Sequence, residues 1–205
     1  MSTYIFDFRA TSGFVTDPAG GSPVLAESYP HTYSNGLVAG WTTNISGQSR
    51  DRDNTVNAQL AGINFNTNTA SPPQVTFQVD LPVSGVWTVR LALGDAGGPQ
   101  AYQYLQIKDG STSRLILDES TGTNGLEFYD ATGVKRTSAA DWVTNNASNA
   151  LTFSTTTLNM AIGEPSGTKG GSSTIATLSL TAPAGASSWG ADLSDQLNRI
   201  VVGAP

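Results

Sequence analysis

Apolar and polar residues alternate most cleanly between Val75 and Leu93. Val75, Phe77, Val79 and Leu81 hold every second position, with Thr76, Gln78 and Asp80 between them. Trp87, Val89, Leu91 and Leu93 repeat the pattern after Pro82-Val83-Ser84-Gly85, and Gly94-Asp95 ends it. In an extended chain successive side chains point to opposite faces, so this alternation predicts two half-buried strands. Proline pre-sets φ and glycine tolerates positive φ, so the four residues between the strands predict the turn of a β-hairpin.

The same period recurs along the chain. Tyr4, Phe6 and Phe8 share one face of a starting strand. Short strands are expected at Gly40–Asn44, Leu60–Phe65, Leu151–Ser154, Leu158–Gly163 and Thr174–Leu180. Ala101–Lys108 and Arg114–Asp118 form a further pair, with Asp109-Gly110 as a strong hairpin-turn signal. The Gly-, Pro-, Ser- and Asn-rich stretch Thr11–Gly40 holds Tyr29, Tyr33, Leu37 and Val38, and predicts an ordered loop with one or two short strands. Leu126–Asp130 leads into a turn at Ala131–Val134. Ser138 with Asp141 three residues later predicts a capped helical turn. Roughly nine to eleven short strands at this spacing point to a sandwich, and no internal repeat argues for a propeller. The expectation is an all-β chain, a jelly-roll β-sandwich over residues 1–182.

The period then changes. After the small-residue hinge at Ala182–Ala186, Leu193, Leu197, Ile200 and Val201 fall at helical spacing, with Trp189 just ahead of them. Residues 183–205 are therefore expected to form a short C-terminal helical tail. Two placements stay open: a helix folded back on its own sandwich, or an assembly arm docked on a neighbouring subunit.

Composition narrows the partners. Only 13% of the 205 residues are charged, against about a quarter in ordinary domains, so Ser, Thr, Asn and Gln must keep the surface wet. The net charge is −6 and no Lys/Arg cluster exists, which disfavours nucleic acid, whose phosphates are held by basic side chains. No apolar run of about 18 residues is present, so no membrane-spanning segment is expected. The N-terminus lacks a basic segment and an apolar core, and is expected to be the first strand, not a signal peptide. With no cysteine and a single histidine, His31, thiolate chemistry and Cys or His metal clusters are excluded.

Candidate chemistry begins at Arg50-Asp51-Arg52-Asp53. In an extended segment Arg50 and Arg52 share one side, where they can grip sugar hydroxyls or a carboxylate. The competing expectation, and the favoured one, is an arginine buried against Asp95 or Asp80 that pins the loops to the end of the hairpin. Trp41 and Tyr102 are candidate platforms for stacking a pyranose, although aromatics in alternating strands are more often core, as Trp87 is expected to be. Asp7, Asp80, Asp95, Asp109 and Asp118/Glu119 are candidate calcium ligands, yet no D-x-D-x-D-G loop is written. His31 has no G-x-S-x-G partner motif, and Gly167–Gly171 lacks phosphate-loop spacing, so no enzyme is expected.

The combination of Phe6-Asp7-Phe8, Gly40-Trp41, Arg50–Asp53, Leu60–Phe65, the Asp80–Asp95 stretch and Phe128–Gly133 resembles galactose-binding-like β-sandwich domains. These include modules found beside esterases and polysaccharide lyases, and stand-alone proteins encoded by phages and prophages. The likeness covers about residues 4–181 and concerns fold more than activity. It implies no cofactor, with one structural calcium as the exception such domains allow. The leading expectation is a non-enzymatic structural protein of a tailed-phage virion, a capsid decoration or tail-associated subunit assembled in the host cytoplasm. Its partners would be copies of itself, as a homo-oligomer, and other virion proteins. They would be joined through Trp189, Leu193, Leu197, Ile200 and Val201 and by backbone pairing of the N-terminal strand. The alternative is a carbohydrate-binding module for surface or plant-type polysaccharide, using Trp41, Arg50, Arg52 and Tyr102.

Overall fold

A computed structural model describes residues 1–10, 21–52, 58–98, 100–120 and 128–186. In chain order the strands are β1 (Thr3–Phe8), β2 (Gly21–Val24), β3 (His31–Thr32), β4 (Val38–Trp41), β5 (Ser49–Asp51), β6 (Gly62–Thr67), β7 (Val75–Asp80) and β8 (Gly85–Ala92). They continue as β9 (Tyr102–Asp109), β10 (Thr112–Ser120), β11 (Phe128–Tyr129), β12 (Lys135–Arg136), β13 (Asn149–Phe153), β14 (Thr157–Ile162), β15 (Ser172–Ile175) and β16 (Thr177–Thr181). A 3-10 turn at Ala58–Leu60 precedes β6, and one helix, α1 (Ala139–Asn145), lies between β12 and β13.

Two sheets face each other. One has five strands in the order β13-β8-β16-β1-β2, the other six in the order β10-β9-β14-β7-β4-β3. The inward positions of both are buried: Phe6, Phe8, Trp87, Val89 and Leu91 from one, Phe77, Val79, Leu105 and Ile107 from the other. Phe77 joins the layers, with Phe6 and Phe8 edge-on to its ring at centroid distances of 5.4 Å and 5.1 Å. Such rings supply large buried areas, and edge-to-face pairing adds to them. This is the expected all-β sandwich. The helical tail and its residues Trp189, Leu193, Leu197, Ile200 and Val201 lie outside the described residues.

The expected hairpin between Val75 and Leu93 is not one. β7 pairs with β4 and β14, whereas β8 pairs with β13 and β16, so the chain crosses from one sheet to the other at Pro82–Gly85. β13 and β14 make the same crossing alongside, matching Leu151 to Trp87 and Leu158 to Val79. The Leu81 N–H donates to the Thr156 carbonyl at 2.7 Å, tying the two arches together. Alternation reports which face of a strand is buried. Two strands with inward faces toward one core satisfy it equally well side by side or across the sandwich. The Asp109-Gly110 signal does mark a true hairpin, with Asp109 opposite Thr112 and Gly110 at φ +58°.

Thr174–Leu180, expected as one strand, is split at Ala176. β15 joins β6 and β5 in a three-stranded sheet, and β16 fills the place between β8 and β1. The Ala176 N–H donates to Ala92 O, and its carbonyl accepts from Phe8 N–H, both at 2.9 Å. β1 is consequently an interior strand, antiparallel to β16 and parallel to β2. Its backbone is spent inside the sheet, which corrects the expectation that it pairs with another subunit.

The capped turn is confirmed as α1. Asp141 N–H donates to Ser138 Oγ at 3.1 Å, while Asp141 Oδ2 accepts from Thr137 N–H at 2.9 Å. Trp142 then packs with Leu60, Ile63, Ala92, Phe128 and Ala176 in a second, smaller core outside the five-stranded sheet.

Candidate functional site

β5 runs antiparallel to β6, with Ser49 opposite Asn64 and Asp51 opposite Gly62. This places Arg50 beside Phe65, its guanidinium 4.9 Å from the ring centroid, where it donates to Gly47 O at 2.9 Å and Ser49 O at 2.7 Å. Arg52, just past the strand, reaches Asp95 at the end of the β8 segment. Nε donates to Oδ1 at 2.5 Å and Nη2 to Oδ2 at 2.7 Å. The hydrogen bonds to Asp95 hold the Arg52 guanidinium above its usual pKa. Gly97 N–H also donates to Asp95 Oδ1 at 2.8 Å, and a Cβ at Gly97 would collide with Arg52 Nε and Cδ. The favoured sequence reading, an arginine pinned on Asp95, is what Arg52 does. Asp53 lies outside the described residues.

Between Arg50, Phe65, Gln100 and Ser172 this arrangement leaves a depression of about 70 Å³. That is small beside the ~150 Å³ of an enclosed cavity that takes up one benzene ring. It brings Arg50 and Arg52 together, without the other two proposed sugar-binding residues.

Trp41 is 1% exposed. Its ring is edge-on to Phe8 and Phe77, and its indole N–H donates to Asn64 Oδ1 at 3.1 Å. The alternation that put it in a strand also turned it inward, so it is core and no platform. Tyr102 faces the outside of the six-stranded sheet, but the Glu164–Gly170 loop covers it to 8% exposure. Its hydroxyl donates to Asp118, and Lys169 Nζ stands 5.6 Å from the ring centroid. Burial first, then Asp118, push the phenol above its usual pKa. The loop is fastened by the Glu164 carboxylate, which accepts from Ser166 N–H at 3.0 Å, Ser166 Oγ at 2.6 Å and Thr168 N–H at 3.1 Å. These bonds hold Glu164 down at about 2. Tyr102 is therefore also corrected as a stacking platform.

The sequence reading missed a ladder of buried asparagines on β6 and just past it. Asn64, Asn66 and Asn68 are each at most 1% exposed. Asn66 Nδ2 donates to Pro73 O at 2.7 Å, and its Oδ1 accepts from Gln48. Asn68 Nδ2 donates to Tyr102 O and Gly170 O, while its Oδ1 accepts from Glu164 N–H and from Ser173 Oγ at 2.6 Å. Buried amides of this kind stitch loop backbone that has no sheet partner. The signal was present as N-x-N-x-N in a strand whose other face holds Ile63 and Phe65.

The candidate calcium carboxylates do not converge. Asp95 holds Arg52, Asp80 accepts from Tyr29 Oη, and Asp118 accepts from Tyr102. Asp109 accepts from Arg114 Nη2 at 2.6 Å and from the N–H and hydroxyl groups of Ser154 and Thr155. Asp7 lies beside Arg9. Among the described residues no three His, Cys, Asp or Glu side chains gather as a metal site would require.

No family model matches the sequence, and no curated protein matches it. Solved structures similar to this chain include the Bacillus subtilis protein YxiM, at 18% identity and a TM-score of 0.49, covering 89% of this chain and 40% of that one. The plant receptor-like kinase FER is 14% identical with a TM-score of 0.44, covering 91% of this chain and 44% of that one. Bacteroides uniformis β-glucuronidase 2 is 8% identical with a TM-score of 0.44, covering 89% of this chain and 18% of that one. This chain thus spans less than half the length of each.

Proposed function

We propose that this chain is a non-enzymatic structural protein of a tailed-phage virion, a capsid-decorating or tail-associated subunit acting through protein–protein assembly. The observation that carries this reading is how its charged side chains are used. Asp95, Asp109 and Asp130 are each buried in an ion pair, with Arg52, Arg114 and Arg136, and Glu164 is spent on its own loop. Groups so satisfied brace loops and arches and are poorly placed to move protons or attack a substrate. A rigid body results, suited to presenting surface. The resemblance of its motifs to stand-alone phage-encoded proteins supplies the setting.

In this reading copies associate with one another and with other virion proteins through the apolar stripe of Leu193, Leu197, Ile200 and Val201, with Trp189 beside it. Buried apolar area would drive docking at about 25 cal/mol per Å², less the cost of association. Pro183 sits against Gly85 and Ala186 packs on the main core, so the chain stays on the sandwich as far as Ala186. Truncation after Ala186 is the test. Light scattering should show the full chain as an oligomer and the truncated chain as a folded monomer with an unchanged β spectrum. Equal assembly of the two would overturn the proposal.

A further inference from the structure

The outward face of the five-stranded sheet is bare over its middle. Strand register sets Thr88, Thr181 and Thr3 in one row across β8, β16 and β1, and Arg90, Ser179 and Ile5 in the next. Val86, 54% exposed, precedes them on β8. Arg90 is the one exposed charge in these rows. It has no ion-pair partner among the described residues, whereas Arg52, Arg114 and Arg136 are each paired with an acid. An exposed apolar side chain and an unpaired cation on an otherwise uncharged face are the makings of a contact surface.

The chain's own end supplies the occupant. Ala182 N–H donates to Ser2 O at 2.9 Å, Pro183 sits against Gly85, and Ala186 packs on the core between the two sheets. The described chain thus ends at the rim, between the layers. To lie on its own outward face the continuation would have to double back around β8, whereas a neighbouring copy's face asks for no such reversal. Beyond the rim the sequence carries the stripe of Leu193, Leu197, Ile200 and Val201, with Asp192 at its head. In a helix Asp192 and Val201 lie ~13.5 Å apart along the axis. Arg90 and Val86 lie ~13–14 Å apart along β8. A helix laid antiparallel to β8 therefore sets the acid on the arginine and valine on valine at the same time.

We propose that the outward face of the five-stranded sheet is the acceptor for the tail of a second copy, with Asp192 on Arg90, Val201 on Val86 and Leu197 across Thr88. This rests on the assembly reading above and adds its missing half, the surface that the apolar stripe covers. The match is one of charge as well as length: Asp192 and Asp195 against Arg199 leave the stripe's segment net acidic, opposite the single cation of the face.

The chain has no cysteine, so one introduced pair reports the contact. Full-length Val86→Cys and Val201→Cys variants, mixed and oxidised, should give a covalent dimer on a non-reducing gel. Ile116→Cys, 52% exposed on the other sheet, mixed with Val201→Cys is the control and should give little. Arg90→Glu should weaken assembly about tenfold by light scattering, through like charge, without moving the thermal midpoint. Asp192→Arg in the same chain should restore it, which a merely structural role for Arg90 would not allow. No cross-link above the Ile116 control would overturn the proposal. So would a Val86→Cys/Val201→Cys double variant that closes only within one chain, or an Arg90→Glu loss that Asp192→Arg leaves in place. If any of these occurs while truncation after Ala186 still gives a monomer, the tail drives assembly and only its acceptor lies elsewhere. Normal assembly of the truncated chain removes the assembly reading itself, and this one with it.

Discussion

Asp7 on the outward face of β1 and Arg9 just past its end are fully buried, with Oδ2 and Nη1 3.6 Å apart. That separation exceeds hydrogen-bonding range, and neither carboxylate oxygen of Asp7 has a hydrogen-bond donor. Burial pushes the Asp7 carboxyl up to about 7, with Arg9 opposing the rise and Asp51 adding to it. An acid raised above its unfolded value of ~3.9 keeps a proton in the folded state that the unfolded chain has released.

Stability should therefore fall as pH rises from 5 to 7, by on the order of 2–3 kcal/mol, and level off above the folded pKa. The carboxylates with lowered pKa, Asp109, Asp130, Asp141 and Glu164, respond only in the acid range and leave this window to Asp7. Asp7→Asn, which mimics the protonated acid, should lose this slope, its advantage over the parent growing between pH 5 and pH 7. Urea unfolding at both pH values measures this, and a slope that survives in Asp7→Asn refutes the assignment.

Arg52→Ala leaves the Asp95 carboxylate buried without its main partner, and should cost about 2–3 kcal/mol. Gly97→Ala should do comparable harm by driving the Arg52 side chain off Asp95. In an Arg52→Ala background that harm should largely vanish, giving a coupling of ~1 kcal/mol or more in a double-mutant cycle. Additive losses would mean that Gly97 matters for another reason.

Asn68→Ala removes one amide that bridges Tyr102, Gly170, Glu164 and Ser173, and a loss of about 2–3 kcal/mol is expected. The effect should be local as well as global. Amide hydrogen exchange in 164–173 should accelerate more than in the arches at 81–85 and 153–157. Uniform acceleration would show that the amide does not hold this loop.

Asp109 ties the β9–β10 hairpin to the second arch, and its hydrogen bonds to Thr155, Arg114 and Ser154 hold its pKa far below the usual carboxylate range. A depressed acid stabilises the fold above its unfolded pKa and loses that contribution as pH falls toward its folded value. Asp109→Asn should melt below the parent at pH 7. It should also lose less stability between pH 4 and pH 2. Thermal melts across that range decide it, and parallel losses in the two proteins would contradict the geometry.

Local patterns in the sequence were enough for every feature whose cause is local. Alternation at Tyr4–Phe8, Val75–Leu81 and Trp87–Leu93 fixed which side chains enter the core, because side-chain direction in a strand depends only on parity. Asp109-Gly110 set a hairpin and Ser138/Asp141 a helix cap, since each involves a few adjacent residues. Partner choice was different. Whether β7 pairs β8 or faces it across the core depends on β13 and β14, about seventy residues away, and both arrangements bury the same faces. The depth of Trp41, the cover over Tyr102, the loops that Asn66 and Asn68 would stitch, and the row of Ile5, Ser179 and Arg90 likewise required distant segments to be placed first. Parity belongs to the chain, and adjacency belongs to the folded sheets.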